Sequence, residues 1–494
     1  MLTLTLATGC ALAGSAARHP APSPRDSAAA ARLRQDLSAI FGAPLMSHAQ
    51  WAVEVRSIDR GERLFSLNAD KLMMPASNMK ILTLAAAAET LGWDTRMTTT
   101  LAATGVVEGG TLRGNLIATG SGDPTINSRD KRADAVFSEW VDALKSAGIT
   151  AVGGQVIGDD QAFDEEGLGG GWAWDYLQYG YAAPVGALQY NENVAELIVS
   201  PSAQAGDPAM AVLAPGSGLT VHNRAVTGAP GSAVTIAYRR RLDAPVLEVT
   251  GSVAADARPV QRTVAVVNPT LFFAESLRHA LIARGIPVAG PAADLDDVAA
   301  GLDWEAGRRI IATSESPPVR AIATVMMKVS HNLYAETLLK AAGRTTGGLA
   351  TTGAGLHAAA AALARLGVAE DSYVMVDGSG LSRYNYVTAA ALTTVLQRMY
   401  ADPAHREALL ATLPVAGTDG TLERRMRRTP AEGNARAKTG SIANVRTLSG
   451  FVRTRDGELL VFAMLANHFA TPAATVNWIQ DLAVEVLAGF RRTP

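Results

Sequence analysis

Ser77-Asn78-Met79-Lys80 opens an apolar, alanine-rich run that continues to Glu89, and the interpretation of the whole sequence depends on this stretch. The run predicts a buried helix. On such a helix Ser77 and Lys80 lie about one turn apart on the same face, so the lysine amine can take the serine proton. The sequence thus predicts a serine acyltransferase with a lysine base. The alternative is that Ser77 is an ordinary helix-capping serine.

The surroundings of this stretch distinguish it from a second copy of the same pattern. Pro75-Ala76 is expected to lead in as an extended segment, and Gly92 is expected to cap the C-terminal end of the helix. The free N–H groups at the helix start favour developing negative charge near Ser77. The second copy, Ser128-Arg129-Asp130-Lys131, lies in polar sequence typical of a solvated loop and helix start. We interpret that copy as a chance match.

The composition indicates a globular protein and excludes several classes of function. The chain has 494 residues and a net charge of −2, which predicts two to four domains and gives no basic surface for nucleic acid. It has no zinc-binding histidine motif, no phosphate-binding P-loop and no Gly-x-Ser-x-Gly elbow. These observations argue against a zinc hydrolase, a P-loop nucleotide enzyme and an α/β-hydrolase. We therefore expect neither a metal nor a cofactor.

Residues 1–17 are typical of an export signal, although the usual positively charged start is missing. Two processing routes remain open. Cleavage after Ala11-Leu12-Ala13 would release a soluble protein, whereas lipid attachment at Cys10, the single cysteine, would tether it to a membrane. Residues 14–30 predict a disordered lead-in. We expect an exported, periplasmic or cell-envelope protein whose one potential membrane attachment is Cys10.

Strand and helix signals at the two ends of the chain enclose a middle part of different composition. The end segments predict a helix over 28–41, a hairpin of 51–55 and 63–67, a second hairpin of 446–453 and 458–465, and a helix over 473–490 that packs on the sheet. The middle predicts strands over 111–119 and 155–157, helices over 133–147 and 271–284, and a small β unit over 190–258. A domain split by a long insertion explains this arrangement.

Lys438-Thr439-Gly440-Ser441 precedes the C-terminal hairpin and is predicted to lie on an edge strand. An exposed lysine there can pair with a substrate carboxylate, and Gly440 lets a ligand approach the backbone closely. The Ser441 N–H could join the Ser77 N–H in an oxyanion hole. The alternative is a surface turn.

Ser330-His331-Asn332 is predicted to open a helix, with its hydroxyl relaying a proton and its amide bonding a peptide-like substrate. The same spacing occurs at Ser66-Leu67-Asn68, which we interpret as a strand end. Ser-x-x-Lys, Ser-x-Asn and Lys-Thr-Gly, in this order, are the combination of penicillin-interacting serine enzymes.

On these motifs the sequence resembles the D-alanyl-D-alanine carboxypeptidase/endopeptidase family of class C penicillin-binding proteins, of the penicillin-binding protein 4 type (peptidase family S13). The resemblance begins near residue 30 and includes the long separation between the first two motifs. The stretches that carry it are Pro75-Ala76-Ser77-Asn78-Met79-Lys80, Gly122-Asp123-Pro124, Ala183-Pro184-Val185, Ser316-Pro317-Pro318, Ser330-His331-Asn332-Leu333-Tyr334-Ala335-Glu336, Asp377-Gly378-Ser379-Gly380-Leu381-Ser382-Arg383 and Lys438-Thr439-Gly440.

The resemblance implies an α+β fold. Its transpeptidase/β-lactamase-like domain, an antiparallel sheet flanked by helices, carries two nested, largely β inserted domains. We expect the catalytic domain to comprise residues 31–97 and 300–494. The inserted domains are expected over 98–189 with 259–299, and over 190–258.

The resemblance also implies a serine D-Ala-D-Ala carboxypeptidase or endopeptidase that acts on peptidoglycan stem peptides and cross-links and is acylated by β-lactams. The implied roles are Ser77 as nucleophile, Lys80 as its base, Ser330 and Lys438 as proton relay, Asn332 on the substrate amide, Thr439 on its terminal carboxylate, and Arg383 and Asp160 on the stem-peptide side chain. Asp159 is adjacent to Asp160 and matches nearly as well.

Lys80 can act as a base only when it is neutral, and burial beside a second cation, Lys438, is expected to lower its pKa. Two alternatives remain. A β-lactamase needs a carboxylate that activates the deacylating water, and none can be assigned from the sequence. A non-catalytic cell-wall-binding protein is disfavoured because every catalytic position holds a competent residue.

Overall fold

The structure is a computed structural model that describes residues 24–129, 131–298, 307–344 and 349–492. The predicted export signal and Cys10 lie outside these residues. Among the helices of the described part, none has both the length and the apolar character needed to cross a bilayer. The first helix begins at Pro24, so the predicted disordered lead-in is wrong for residues 24–30.

The helices of the described residues are numbered in chain order. They are α1 (Pro24–Phe41), α2 (Met79–Thr90), α3 (Arg132–Ser146), α4 (Pro269–Ala283), α5 (Val319–Lys328), α6 (Asn332–Arg344), α7 (Thr352–Arg365), α8 (Ala389–Ala401), α9 (Pro403–Thr412) and α10 (Ala473–Gly489).

The strands are numbered in the same way. They are β1 (Gln50–Ser57), β2 (Arg63–Leu67), β3 (Thr98–Ala103), β4 (Val106–Glu108), β5 (Thr111–Arg113), β6 (Leu116–Gly120), β7 (Ala151–Val152), β8 (Val156–Asp159), β9 (Val194–Ser200), β10 (Met210–Leu213), β11 (Thr220–Asn223), β12 (Val226–Gly228), β13 (Ala237–Arg240), β14 (Val246–Thr250), β15 (Ser252–Ala254), β16 (Val260–Ala265), β17 (Ala292–Asp294), β18 (Arg309–Glu315), β19 (Tyr373–Val374), β20 (Tyr386–Val387), β21 (Arg436–Ile442), β22 (Val445–Arg453) and β23 (Leu459–Asn467).

The main sheet joins the two ends of the chain. Its strand order is β2-β1-β23-β22-β21, and all neighbours are antiparallel. β1 pairs along its whole length with β23, from Gln50 opposite Asn467 to Ser57 opposite Leu460. This pairing confirms that both predicted hairpins belong to one sheet. β21 is an edge strand, as predicted.

Helices cover both faces of this sheet, which explains why its inner strands are apolar at nearly every position. On β1, Trp51 and Val53 pack with α1 and α10, whereas Ala52 packs on the opposite face with α2, α5 and α8. β23 alternates in the same way and is buried throughout. The main sheet therefore lies between two helical layers.

α2 is the central helix of the larger layer. Residues Met79 to Ala88 are all buried, and the helix contacts α5, α6, α7 and α8. An apolar helix without a polar face is typical of a fully buried element. The helix that begins directly after Ser77 is thus held on several sides.

A second five-stranded sheet, β17-β8-β6-β3-β18, forms the first part of the inserted region. α3 and α4 pack on it through a core that includes Trp140 and Phe273. The predicted strand over 111–119 is interrupted: β5 pairs with β4 and β7, whereas β6 joins the larger sheet. Gly114 permits this change of sheet, since a Cβ there would lie 1.8 Å from the Thr104 carbonyl oxygen.

Residues 190–258, all of them described, contain strands and a short 3-10 turn but no α-helix, in agreement with the predicted β unit. The strand pairing leads us to propose revised domain limits. β16 pairs with β9, so we extend the inner unit to Ala265. β18 pairs with β3, so we place the return to the catalytic domain after Glu315.

Candidate active site

The turn before α2 presents Ser77 in a conformation that the sequence did not predict. Pro75 is helical (φ −82°, ψ −18°) and Ala76 is left-handed (φ +45°), so the expected extended segment is wrong. A non-glycine residue in this region is strained and persists when its surroundings hold it there. The Gly380 backbone lies directly against Ala76, because a Cβ at Gly380 would come within 1.8 Å of the Ala76 carbonyl oxygen.

Lys80 reaches back one turn to the serine. Its Nζ lies 2.9 Å from Ser77 Oγ, 2.7 Å from Asn332 Oδ1 and 2.7 Å from the Ser379 carbonyl oxygen. The N-cap residue of α2 is Asn78, whose side chain makes no capping bond. The Ser77 hydroxyl bonds the Lys80 amine and is not the helix cap.

Burial determines the charge state of Lys80. The side chain is 0% exposed, and this burial lowers the pKa of Lys80 to about 7, against smaller opposing effects of the nearby carboxylates Glu336 and Asp377. The direction agrees with the expectation. We expected the charge of Lys438 to lower the pKa of Lys80. The effect is instead on Lys438, because burial and the charge of Lys80 hold the pKa of Lys438 well below its usual value.

Lys438 and Ser330 form a second lysine–serine pair. Lys438 is also 0% exposed, so the expectation of an exposed lysine is wrong. Its Nζ donates to Ser330 Oγ at 2.8 Å and to the Thr439 carbonyl oxygen at 2.8 Å. Ser330 adopts a left-handed conformation (φ +62°) directly before α6. Residues distant in sequence thus give a hydroxyl bonded to a buried amine, as a proton relay requires.

Hydrogen bonds from side chains to the backbone hold the edge strand β21 and its neighbour β22 against the serine turn. Asn78 Nδ2 donates to the Lys438 carbonyl oxygen at 3.0 Å, and Thr447 Oγ1 donates to the Pro75 carbonyl oxygen at 2.8 Å. A Cβ at Gly440 would lie 2.7 Å from that Pro75 oxygen and 3.0 Å from the Ser77 nitrogen. The lack of a side chain at Gly440 therefore allows β21 to lie close to the turn before α2.

Asn332 connects the site to the inserted region. Its Oδ1 accepts from Lys80, and its Nδ2 donates to the Tyr181 carbonyl oxygen at 2.7 Å. The neighbouring His331 Nε2 lies 3.1 Å from a carboxylate oxygen of Glu192. The three motifs predicted from sequence are thus brought together, and the insertion holds one of them.

Comparisons with known proteins show the family of this chain. Residues 33–487 match the model of the D-Ala-D-Ala carboxypeptidase 3 (S13) family. The chain belongs to this family. It is 36% identical over 486 residues to the D-alanyl-D-alanine carboxypeptidase of Actinomadura sp. (strain R39), covering 95% of this chain and 87% of the relative.

A solved structure supports the same S13 assignment. The crystal structure of penicillin binding protein 4 (dacB) from Haemophilus influenzae has a TM-score of 0.79 and 25% identity, covering 92% of this chain and 99% of the other. A complex of the same Haemophilus protein with a novel β-lactam has a TM-score of 0.74 and 24% identity, with the same coverage. These matches confirm the predicted fold class.

The remaining residues predicted from the S13 resemblance lie in two places, beside strand β21 and in a separate cavity. Thr439 is half-buried and its Oγ1 is 2.7 Å from Thr421 Oγ1. Ser441 is exposed on the edge strand. Arg383 donates to the Ala443 carbonyl oxygen at 3.0 Å, just beyond β21. All three thus lie on the β21 side of the site.

Asp160 is not brought to this centre. It lines a separate cavity of about 570 Å³ with Glu165 and Asp294, and its Oδ2 accepts from Thr270 at 2.6 Å. Burial raises the pKa of Asp160 to about 6. Its neighbour Asp159 accepts from Thr119 Oγ1. This placement argues against Asp160 as a contact of the substrate side chain.

Sequence reasoning missed the aromatic side of the site. A cleft of about 340 Å³ borders Ser330 and Asn332 and is also lined by Tyr179, Tyr181 and Tyr238 from the insertion. Tyr179 and Tyr181 stack with ring centroids 5.3 Å apart. The concentration of aromatic residues over 172–181 was the available signal.

Proposed function

We propose that this S13 protein is a serine DD-peptidase in which Ser77 forms an acyl-enzyme with the penultimate D-Ala of a peptidoglycan stem peptide. The observation that carries the proposal is the pair of buried lysines, Lys80 on Ser77 and Lys438 on Ser330, each within 3 Å of its hydroxyl. The relative from Actinomadura bears the name of the same activity.

Activation of the serine follows from the contacts of Lys80. A neutral amine has two N–H donors and one lone pair. The Asn332 and Ser379 oxygens accept the two donors, so the lone pair is left for the Ser77 proton. With a pKa near 7, a large fraction of Lys80 is neutral at physiological pH.

The acyl transfer then balances as follows. The Ser77 oxygen forms a bond to the carbonyl carbon while its proton passes to Lys80, and the Ser77 and Ser441 N–H groups hold the oxyanion. The C–N bond breaks, and the leaving amine takes up one proton through Ser330 and Lys438, to which Lys80 passes the proton that it received, so that Lys80 is neutral again. In the second step water gives a proton to Lys80 and bonds the ester carbonyl carbon. The bond between that carbon and the Ser77 oxygen then breaks, the Ser77 oxygen takes the proton back from Lys80, and the shortened peptide is released.

Substrate binding is assigned to the residues that border this centre. The Asn332 side chain lies between Lys80 and the insertion, where it can bond the substrate amide. Thr439 binds the terminal carboxylate, and Arg383 contacts the stem-peptide side chain. β-Lactams, which present an acyl group of similar shape, are proposed to acylate Ser77; the Haemophilus protein has been crystallised with such a compound.

A β-lactamase with the same fold would need a carboxylate free to activate the deacylating water. Among the described residues, the carboxylates that act on Lys80 most strongly are Glu336 and Asp377. Both are buried and accept backbone N–H groups of the loop over 377–382. Because both carboxylates already accept backbone N–H groups, neither is free to activate water, and this favours a peptidase that deacylates slowly.

The test is mass spectrometry of the intact protein after penicillin treatment, with peptide mapping and an assay of D-Ala release from a pentapeptide. We expect a lasting adduct on Ser77 that Ser77→Ala abolishes, whereas Ser128→Ala, in the second Ser-x-x-Lys copy, retains it. Rapid loss of the adduct would indicate a β-lactamase. D-Ala release that survives Ser77→Ala would contradict the proposal.

We also propose that the enzyme works in the cell envelope, since its substrate lies outside the cytoplasm. Cys10 is the proposed attachment site if the protein is lipid-anchored. Cell fractionation of the wild type and Cys10→Ala distinguishes a membrane-bound from a released form.

A further inference from the structure

Glu336 lies outside the three catalytic motifs yet contacts the loop that holds Lys80. It follows Asn332 by four residues on α6, so the two side chains share a helix face. Glu336 is 5% exposed. One oxygen accepts from the Gly378 N–H and the other from the Ser379 N–H, both at 2.8 Å. A carboxylate that accepts two successive backbone N–H groups fixes that backbone firmly.

The carbonyl groups of the same loop turn toward α2. The Ser379 oxygen accepts from Lys80 Nζ at 2.7 Å, and the Gly378 oxygen accepts from Thr83 Oγ1 at 2.6 Å. Glu336 and Lys80 are therefore bonded to the same short backbone segment from opposite sides. A shift of this segment would move the amine away from Ser77.

Asp377 supports the segment from its other end. It is 0% exposed and accepts from the Gly380 N–H at 2.7 Å, the Ser382 N–H at 2.7 Å and Trp172 Nε1 at 2.9 Å. The peptide group between residues 379 and 380 thus donates to Asp377 and accepts from Lys80, and such chains of bonds strengthen one another.

We propose that Glu336 is a positioning residue of this peptidase: its carboxylate fixes the Ser379 carbonyl that holds the Lys80 amine, and its negative charge stabilises the protonated form of Lys80. The inference rests on the proposed function. The charged groups that face Lys80 are Glu336 from α6, Asp377 from the loop and Lys438 from β21. Glu336 thereby counteracts the burial that makes Lys80 a base.

Burial acts on both partners in opposite directions. It raises the pKa of Glu336 to about 7, and it lowers the pKa of Lys80 to about 7. The two groups therefore compete for a proton near neutral pH. Loss of the Glu336 charge should leave Lys80 neutral at a lower pH than in the wild type.

Glu336→Gln tests the proposal through the pH dependence of penicillin acylation and of kcat/KM for D-Ala release. We expect the acidic limb of both profiles to move down by about one pH unit. We also expect kcat/KM at the optimum to fall at least about tenfold, since the glutamine NH₂ faces a backbone N–H that needs an acceptor. A limb that stays at the wild-type pH while activity falls would show a merely structural role and overturn the proposal.

Thr83→Val is the matched control, because it removes a bond to the same loop without changing charge. It should lower activity and leave the limb in place; a limb that moves as far as in Glu336→Gln would overturn the proposal. If Glu336→Gln does not fold, Glu336→Asp retains the charge on a shorter side chain. Its limb should match the wild type at reduced kcat/KM, and a shifted limb would again contradict the proposal.

The failure of this inference is distinguishable from failure of the proposed function. Wild-type protein that forms no Ser77 adduct removes the proposed function itself. An adduct in the wild type with an unmoved limb in Glu336→Gln removes only the role of Glu336.

Discussion

The chain contains the Ser-x-x-Lys pattern twice, and the two copies differ in burial and in hydrogen-bond partners. Lys80 is fully buried on a central helix and bonds Ser77, Asn332 and the Ser379 carbonyl. Ser128 and Lys131 are exposed, and the Ser128 hydroxyl bonds the Asn191 side chain. The Ser-x-x-Lys spacing therefore only lets the amine reach the hydroxyl. Burial and the neighbouring hydrogen-bond acceptors are what make the amine a base.

Removal of the amine from the two copies should give the largest contrast. Lys80→Met keeps an apolar chain of similar length but has no basic nitrogen to take the Ser77 proton, so acylation by a fluorescent penicillin should slow by about 10³- to 10⁴-fold. Lys131→Met should acylate at the wild-type rate. Comparable losses in the two variants would mean that the copies are not distinguished by their surroundings.

A substitution on strand β21, beside the buried Ser77–Lys80 copy, should have the next largest effect on the acylation rate. In Gly440→Ala the new methyl group would lie 2.0 Å from Thr447 Oγ1 and 2.7 Å from the Pro75 carbonyl oxygen, so strand β21 must move away from the serine turn. We expect about a 10²-fold fall in acylation rate and about 1–3 kcal/mol lower stability.

Gly489→Ala, at the end of α10, is the control for this change because no atom lies within 4 Å of its new methyl group. It should acylate normally. Normal acylation by Gly440→Ala as well would refute the close approach of β21 to Ser77.

The pH dependence of acylation tests the charge of the buried copy. Because the base form of Lys80 is the neutral amine and its pKa is about 7, the rate should fall about tenfold for each pH unit below 7 and level off above it. A stopped-flow pH series at constant ionic strength measures this limb. A rate that still rises tenfold per unit between pH 8 and 10 would mean that burial does not lower the pKa of Lys80.

The sequence was sufficient for the parts of this site whose chemistry fixes both residue type and spacing. Ser77 with Lys80, Ser330 with Asn332, and Lys438 on its edge strand were predicted, and the structure brings them together. The main-sheet hairpins were predicted for a similar reason, since their turns and alternating residues are local signals.

The parts that escaped prediction depend on contacts between distant residues. The left-handed Ala76 lies directly against Gly380, and no local sequence pattern indicates that contact. β18 follows the expected insertion in sequence but pairs with β3, and this long-range pairing is the reason why we propose a later domain limit than the one expected from the resemblance. Asp160 was chosen by loose positional likeness alone, and its side chain lies in another cavity.

The smallest expected effect concerns the backbone of the exposed copy. Lys131 has φ +62° at the start of α3, a conformation that costs a non-glycine residue about 1–2 kcal/mol. Lys131→Gly removes this strain but gives the unfolded chain more freedom, which offsets about 0.5–1 kcal/mol of the gain. Urea unfolding should therefore show a free energy of unfolding that is unchanged or raised by up to about 1.5 kcal/mol, with acylation at the wild-type rate. Ala76, the left-handed residue directly before the buried copy, lies against Gly380 in the loop that holds Lys80, whereas Lys131 is exposed and the Ser128 hydroxyl bonds the Asn191 side chain. Slower acylation in Lys131→Gly would show that the second copy contributes to the reaction, and the distinction between the two copies would then be wrong.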